Sequence, residues 1–203
     1  MSPKHQSTDA TVTRLLDDAL RVHTVLGPEG FTMTAVIRES GVSSGSLYHH
    51  FGSFDGLAAA LYARCMASLL DALLAALEPE TTARGGIEAV ARAYLDFTRT
   101  DRDAAYFIHA SAYATFLPSH ATVIAEAKAP RLTRLLSWLE PHTATGEITP
   151  LSPTLTEMLL IGPVAETARR HLSGDPTLDL TEATLHLPPR IWASLSPQPT
   201  PPP

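Results

Sequence analysis

Cysteine is nearly missing from this chain. Cys65 is the single one among 203 residues, so there is no internal disulfide and no thiolate zinc site, and neither an oxidising compartment nor structural zinc is called for. A basic excess is missing too: 15 Lys and Arg stand against 21 Asp and Glu, a formal charge of −6. That balance argues against a broadly basic nucleic-acid coat or a membrane-surface binder. No run approaches the roughly 18 uninterrupted apolar residues of a membrane span. The first residues, MSPKHQSTDATVTR, carry no apolar stretch behind their basic residue, so neither secretion nor membrane spanning is expected and the cytoplasm is the expected location. Alternating β-branched runs are also absent, which removes the sequence signal for a sheet.

What remains is helical. With 44% hydrophobic and 18% charged residues, the chain has the material for a buried core and too much of it for disorder. Its apolar residues fall on helical stripes almost throughout, and the expected fold class is all-α. A first helix is predicted over 11–26, stopped by Gly27-Pro28-Glu29-Gly30. Thr32 can cap a second over 33–40, ended by Gly41, and Ser43 can cap a third reaching Phe51, with Leu47 and Phe51 turned inward. A long stripe from Phe54 to about Leu77 predicts a fourth helix of roughly six turns. Further helices are predicted over 82–98, 103–116, 119–139 and 154–172. Pro130 should kink or split one of them, and Pro188-Pro189 should break a last helix that begins near Leu180. The division expected is a head over 1–54, a larger helical domain over 55–195 and a Pro-rich tail over 196–203.

The informative segment is Thr32 to Phe51, two short helices around a tight glycine turn. This plan lets one helix lie across a phosphate backbone while the next enters the major groove. With Leu47 and Phe51 inward, Ser44, Gly45, Ser46 and His49 face out as candidate base readers: serine donates or accepts, glycine admits close approach, and histidine can donate to guanine or phosphate. Thr32, Ser43, Tyr48 and His50 are candidate phosphate contacts, together with helix N-terminal amides.

The order of residues through this segment resembles the TetR family of transcriptional regulators. The likeness runs through Leu15, Ala19, Gly27, Phe31, Thr32 and Met33, then Gly41-Val42-Ser43, Leu47-Tyr48-His49-His50-Phe51, Ser53 and Leu57. It implies a three-helix DNA-binding head, a long connecting fourth helix, and a helical C-terminal domain that binds a small effector and dimerises through its last two main helices. Here those are residues 155–172 and 180–195, where Leu155, Leu159, Gly162, Ala165 and Leu172 share a face. Pro163 and Pro188-Pro189 depart from smooth helix pairing. The chain also has His23 where the family usually has an aromatic, Ile37 and Ser40 where it has Ala, and Phe54 where it has a phosphate-contacting Lys.

The head is not basic. Residues 1–54 hold Lys4, Arg14, Arg21 and Arg38 against Asp9, Asp17, Asp18, Glu29 and Glu39, a net of −1 that leaves −5 for residues 55–203. Each neutralised phosphate adds roughly 0.9 to the salt slope of binding. A head that holds phosphates through hydroxyls, amides and imidazoles should therefore show a shallow salt slope and a marked pH dependence.

Beyond the head, Tyr106, His109, Tyr113 and Phe116 recur on one face of a predicted helix. Tyr94 and Phe97, with Tyr62 and Met66, could complete an enclosure around a small molecule. No pair of cations sits there to hold an anion, so the expected effector is neutral or weakly polar, apolar or aromatic. Core packing is the competing account of the same aromatics. Gly41-Val42-Ser43-Ser44-Gly45 matches the nucleophile-elbow pattern of hydrolases, but that pattern needs a strand before its serine. Nine histidines form neither His-x-x-x-His nor His-Glu-x-x-His. No catalytic residue, metal or cofactor is expected. The reading is a homodimeric, effector-responsive repressor of a palindromic DNA operator; the alternative is a small helical enzyme or interaction module that retains the head.

Overall fold

The computed structural model describes residues 3–111 and 114–197, with side chains from residue 10 onward. Ten helices and no strand occur among the described residues: α1 (Pro3–Gly30), α2 (Met33–Ser40), α3 (Ser44–Phe51), α4 (Phe54–Leu77), α5 (Ala83–Thr100), α6 (Arg102–Ala110), α7 (Phe116–Ser119), α8 (Ala121–Ala144), α9 (Pro153–Leu172) and α10 (Leu180–Leu195). The all-α expectation holds. The expected tail lies mostly outside the described residues.

The chain divides into two compact units, one of residues 1–67 and 103–128 and the other of residues 68–102 and 129–203. In the first unit, Leu15, Leu16, Ala19 and Val22 of α1 are buried, as are Ala35 and Val36 of α2, Leu47 of α3, Leu57 and Leu61 of α4, and Phe107 and Ile108 of α6. Burying a side chain of this size contributes about 1.5–3 kcal/mol, so this core sets where the short helices α2 and α3 sit. In the second unit α5 packs on both α9 and α10, which also pack on each other. Helix α5 buries Ile87, Val90, Ala91, Tyr94, Leu95 and Phe97, and its outer face is laced by Arg84–Glu88 and Arg92–Glu88 pairs one turn apart. Trp138 of α8 lies against Gly86, where an added Cβ would stand 2.1 Å from the indole. The indole N–H donates to the Glu80 carbonyl at 3.3 Å.

Helix α4 is long and apolar enough to cross a membrane by length and composition. Leu57, Leu61, Cys65, Leu69 and Leu73 on it are nevertheless buried in the protein, as a core helix requires.

Several helix boundaries differ from expectation. Helix α1 starts at Pro3 rather than at residue 11; Gly27 interrupts it at φ 70°, ψ −180°, so the expected stop is real and a short helical turn follows. The helix expected over 103–116 ends at Ala110. Ahead of Pro118, the Ala114 N–H donates to the Ser111 carbonyl and the Leu117 N–H to the Ala114 carbonyl, turn bonds that replace the α pattern. Helix α8 is not split at Pro130 and runs on through Pro141. The expected break at Pro188-Pro189 is absent: α10 continues through both prolines to Leu195, with Pro188 itself buried. A proline removes one helical N–H bond, and burial of Pro188, Ile191 and Leu195 offsets that loss.

Candidate nucleic-acid interface

The first unit builds its exposed helix from caps. The Ala35 N–H donates to Thr32 Oγ1 at 3.3 Å and the Ser46 N–H to Ser43 Oγ at 3.2 Å, so each short helix begins on a hydroxyl that satisfies an otherwise orphaned donor. Between them Gly41 takes φ 64° and its N–H closes α2 on the Ile37 carbonyl at 3.0 Å. That left-handed turn is where glycine is favoured. Leu47 is fully buried and anchors α3, whereas Phe51 is half-buried, so one of the two expected anchors is only partly inside.

Anchoring through Leu47 leaves Ser44, Gly45 and His49 exposed, Ser46 and His50 half-buried, and Tyr48 48% exposed. Thr32 and Ser43, at the two N-termini, are exposed as well. A Cβ at Gly45 would meet only Ser43 Oγ, at 3.9 Å. The fold therefore leaves space there that a closely approaching partner can use. The imidazoles of His49 and His50 stand 5.1 Å apart.

The cations are arranged less generously than the sequence suggests. The Arg21 Nε donates to Glu39 Oε1 at 2.8 Å, and the guanidinium also pairs with Asp18, which occupies one of the four cations of the head. Arg64 reaches back to Asp17 Oδ1 at 2.7 Å. Arg38, on the last turn of α2, is exposed and has no ion-pair partner among the described residues. The sequence reading left it out of the phosphate-contacting set; counting which cations can be neutralised within the chain is the signal that finds it. Phe54, in the place of a phosphate-contacting Lys, turns its ring to Phe31 at 5.0 Å and serves the interior.

The pentapeptide from Gly41 to Gly45 runs from the end of α2 into the first turn of α3, and the Ser43 hydroxyl is engaged as a cap. This is not the strand-to-helix geometry that a nucleophile elbow needs.

The residues expected to enclose an effector divide between the two units. Tyr62, Met66, Tyr106, His109 and Phe116 belong to the first, with the Tyr62 and Phe116 rings 6.4 Å apart. Tyr94 and Phe97 belong to the second and are buried. Tyr113 lies outside the described residues. Tyr106 rests on His23 at 5.2 Å. Two concavities open in the second unit and are lined by other residues: one of about 220 Å³ by Leu95, Asp96, Arg99, Leu180, Thr181 and Thr184, and one of about 340 Å³ that includes Leu74, Leu77, Arg134 and Trp138.

The second unit also carries an apolar surface. On α9 Leu155 and Met158 are exposed, the latter at 63%, and on α10 Leu185 is 69% exposed. A Cβ at Gly162 would meet nothing within 4 Å. Leu159 and Ala165 are half-buried, and Leu172 is buried within its own chain.

Capped short helices around a left-handed glycine, a buried leucine anchor and a polar outward face define a helix-turn-helix DNA-binding head carried by an all-helical protein. Residues 15–61 match the family model of bacterial regulatory proteins, tetR family. The match covers the N-terminal module, the same stretch that carries the resemblance in sequence. Similar solved structures include a TetR family transcription regulator from Marinobacter aquaeolei VT8, at 16% identity over 96% of this chain and 100% of that one with a TM-score of 0.75. A putative TetR family regulator from Shewanella sp. PV-4 shares 18% identity over 93% and 99% of the two chains, with a TM-score of 0.76. The regulator FadR from Bacillus subtilis, solved with stearoyl-CoA, shares 17% identity over 90% and 98%, with a TM-score of 0.73. At these identities the likeness is one of fold. A comparison with curated proteins finds no match.

Proposed function

We infer that the protein is an effector-responsive transcriptional repressor that binds a palindromic operator as a homodimer in the cytoplasm. The observation that carries this reading is the outward face of α3, where Ser44, Gly45, Tyr48 and His49 are exposed and Ser46 is half-buried while Leu47 holds the helix in place. Thr32, Ser43, His50 and Arg38 flank it as phosphate contacts. Two-fold symmetry would present two such helices one DNA turn apart, about 34–36 Å. The apolar residues Leu155, Met158 and Leu185, with the open Gly162, are the surface for the second copy.

Tyr62, Met66, Tyr106, His109 and Phe116 of the first unit support a neutral, apolar or aromatic effector, which acts by favouring one of two states of the head. The stearoyl-CoA held by the Bacillus subtilis FadR makes a long-chain acyl thioester the competing class. Selection of bound sequences from a random DNA pool tests the operator reading, and a palindromic consensus is the expected result. A thermal-shift comparison of apolar aromatics with acyl thioesters then decides the effector class, because a ligand that binds the native state raises its apparent stability. Enrichment of no sequence would defeat the regulator reading.

A further inference from the structure

One buried side-chain polar atom stands without a hydrogen-bond partner among the described residues, Nδ1 of His23. His23 is 2% exposed near the end of α1. Its ring meets Phe107 at 4.8 Å edge-on, Tyr106 at 5.2 Å and Phe31 at 5.5 Å. Phe31 in turn meets Phe107 at 5.6 Å and Phe54 at 5.0 Å. An imidazole thus occupies an aromatic slot that joins the end of α1, the residue leading into the helix-turn-helix, and α6, all within the first unit. A benzene ring would fill such a slot with no polar atom to satisfy; this chain has a group that can take up a proton instead.

Among the described residues, no carboxylate acts on that proton as a counter-charge. On α1, Asp18 is paired with Arg21, which is paired again with Glu39 of α2. Helix α6 carries Arg102, Asp103, Tyr106 and His109, and the start of α4 carries Asp55. Of these, Tyr106 lays its ring on His23, and a neutral phenol compensates no positive charge. Burial alone holds the His23 imidazole down, to about 4.

We propose that His23 is a proton-operated release: once protonated, its ring leaves the aromatic slot, and the end of α1 and Phe31 lose their seat on α6. Because the ring is harder to protonate in the folded chain than in the released one, the seated form is fully favoured above about pH 6.5 and is lost progressively as the pH falls towards 4. Each pH unit within that window shifts the equilibrium towards release by up to about tenfold, roughly 300-fold across the whole window. For DNA binding, which rests on the regulator reading above, acid therefore loosens the head from its support.

The test uses the full chain, its His23→Phe variant and the selected operator DNA. Thermal unfolding followed from pH 7.5 to pH 5 should show an acid loss in the parent that His23→Phe largely removes. His142→Gln, which alters a ring facing Glu147, should leave that loss in place. NMR of the histidine C2 protons in the unmodified chain gives a second readout that needs no variant: the His23 signal should titrate well below the ordinary imidazole value of about 6.5. An ordinary His23 midpoint in the folded chain, or an undiminished acid loss in His23→Phe, overturns the proposal. Protonation of His49 and His50 favours an anionic partner, so their effect on operator affinity has the opposite sign, and the difference between parent and His23→Phe isolates the release. If neither protein binds any DNA, the regulator reading fails, while the two folding readouts still decide the role of His23.

Discussion

Two of the surfaces that this fold leaves uncovered differ in chemistry and in how they are held. Helix α3 is eight residues long, buries Leu47, starts on the Ser43 cap, and turns out hydroxyls, a glycine and an imidazole. Helices α9 and α10 are 20 and 16 residues long, bury several large side chains each, and still leave Leu155, Met158 and Leu185 in the open. A helix that presents polar atoms to a partner can be short, because caps and one anchor suffice to aim it. A helix that presents apolar area needs a second face sunk in the core, since the exposed face gives it no stability until a partner covers it. The chemistry of each uncovered surface therefore suggests its partner: a hydrated polyanion for the first and another apolar surface for the second.

The largest expected effect comes from placing charge on the apolar surface. Met158→Glu should cost association about 3–5 kcal/mol by burying an unpaired carboxylate, and sedimentation velocity should show monomer at micromolar concentration with the fold retained. An unchanged dimer would move the interface away from α9. On the polar surface, substitution of Tyr48 and His49 together by Ala should weaken operator binding by about 2–4 kcal/mol, read by fluorescence anisotropy, with no drop in thermal midpoint. Undiminished binding would remove α3 from the interface. A substitution in the filled interior should behave differently from both: Gly86→Ala drives a Cβ into the Trp138 ring, and calorimetry should show about 1–3 kcal/mol lost to overpacking. The smallest effect sharpens the comparison most. Gly45→Ala meets only the Ser43 hydroxyl, at an ordinary contact distance of 3.9 Å, so stability should hold or rise slightly, while operator affinity falls by about 1 kcal/mol. Equal losses of stability and binding would mean that the space at Gly45 serves the fold.

The first unit was legible in sequence where structure is decided within a few residues. Thr32 and Ser43 each satisfy a donor three residues ahead, and Gly41 reverses the chain at a position that favours its lack of a Cβ. Such features need no knowledge of the rest of the molecule. Features fixed by distant partners were not legible. Pro188-Pro189 reads locally as a break, yet α10 runs through it, because buried Pro188, Ile191 and Leu195 hold the helix in the second unit. The single face expected from Tyr106 to Phe116 assumed one helix, and turn bonds from Ser111 onward end it. The charge count of the head was right, but the count hid a pairing 18 residues long, Arg21 with Glu39, which leaves fewer cations for phosphate than the composition implies. The position of His23 was recognisable as a departure in sequence; its dry nitrogen emerged only once Phe31, Tyr106 and Phe107 were placed around it.

Cys65 is the chain's one cysteine. It is buried on α4, with its thiol pushed up to about 11 by burial, and a neutral, enclosed sulfur is a poor nucleophile. The unmodified protein should therefore be nearly silent to maleimides and methanethiosulfonates. Glu29→Cys, at an exposed position beside the Gly27 turn, would carry a spin label almost alone without removal of the native thiol. In a two-fold assembly each molecule then becomes its own ruler, and the separation of two labels, read with and without effector, reports how far apart the heads stand.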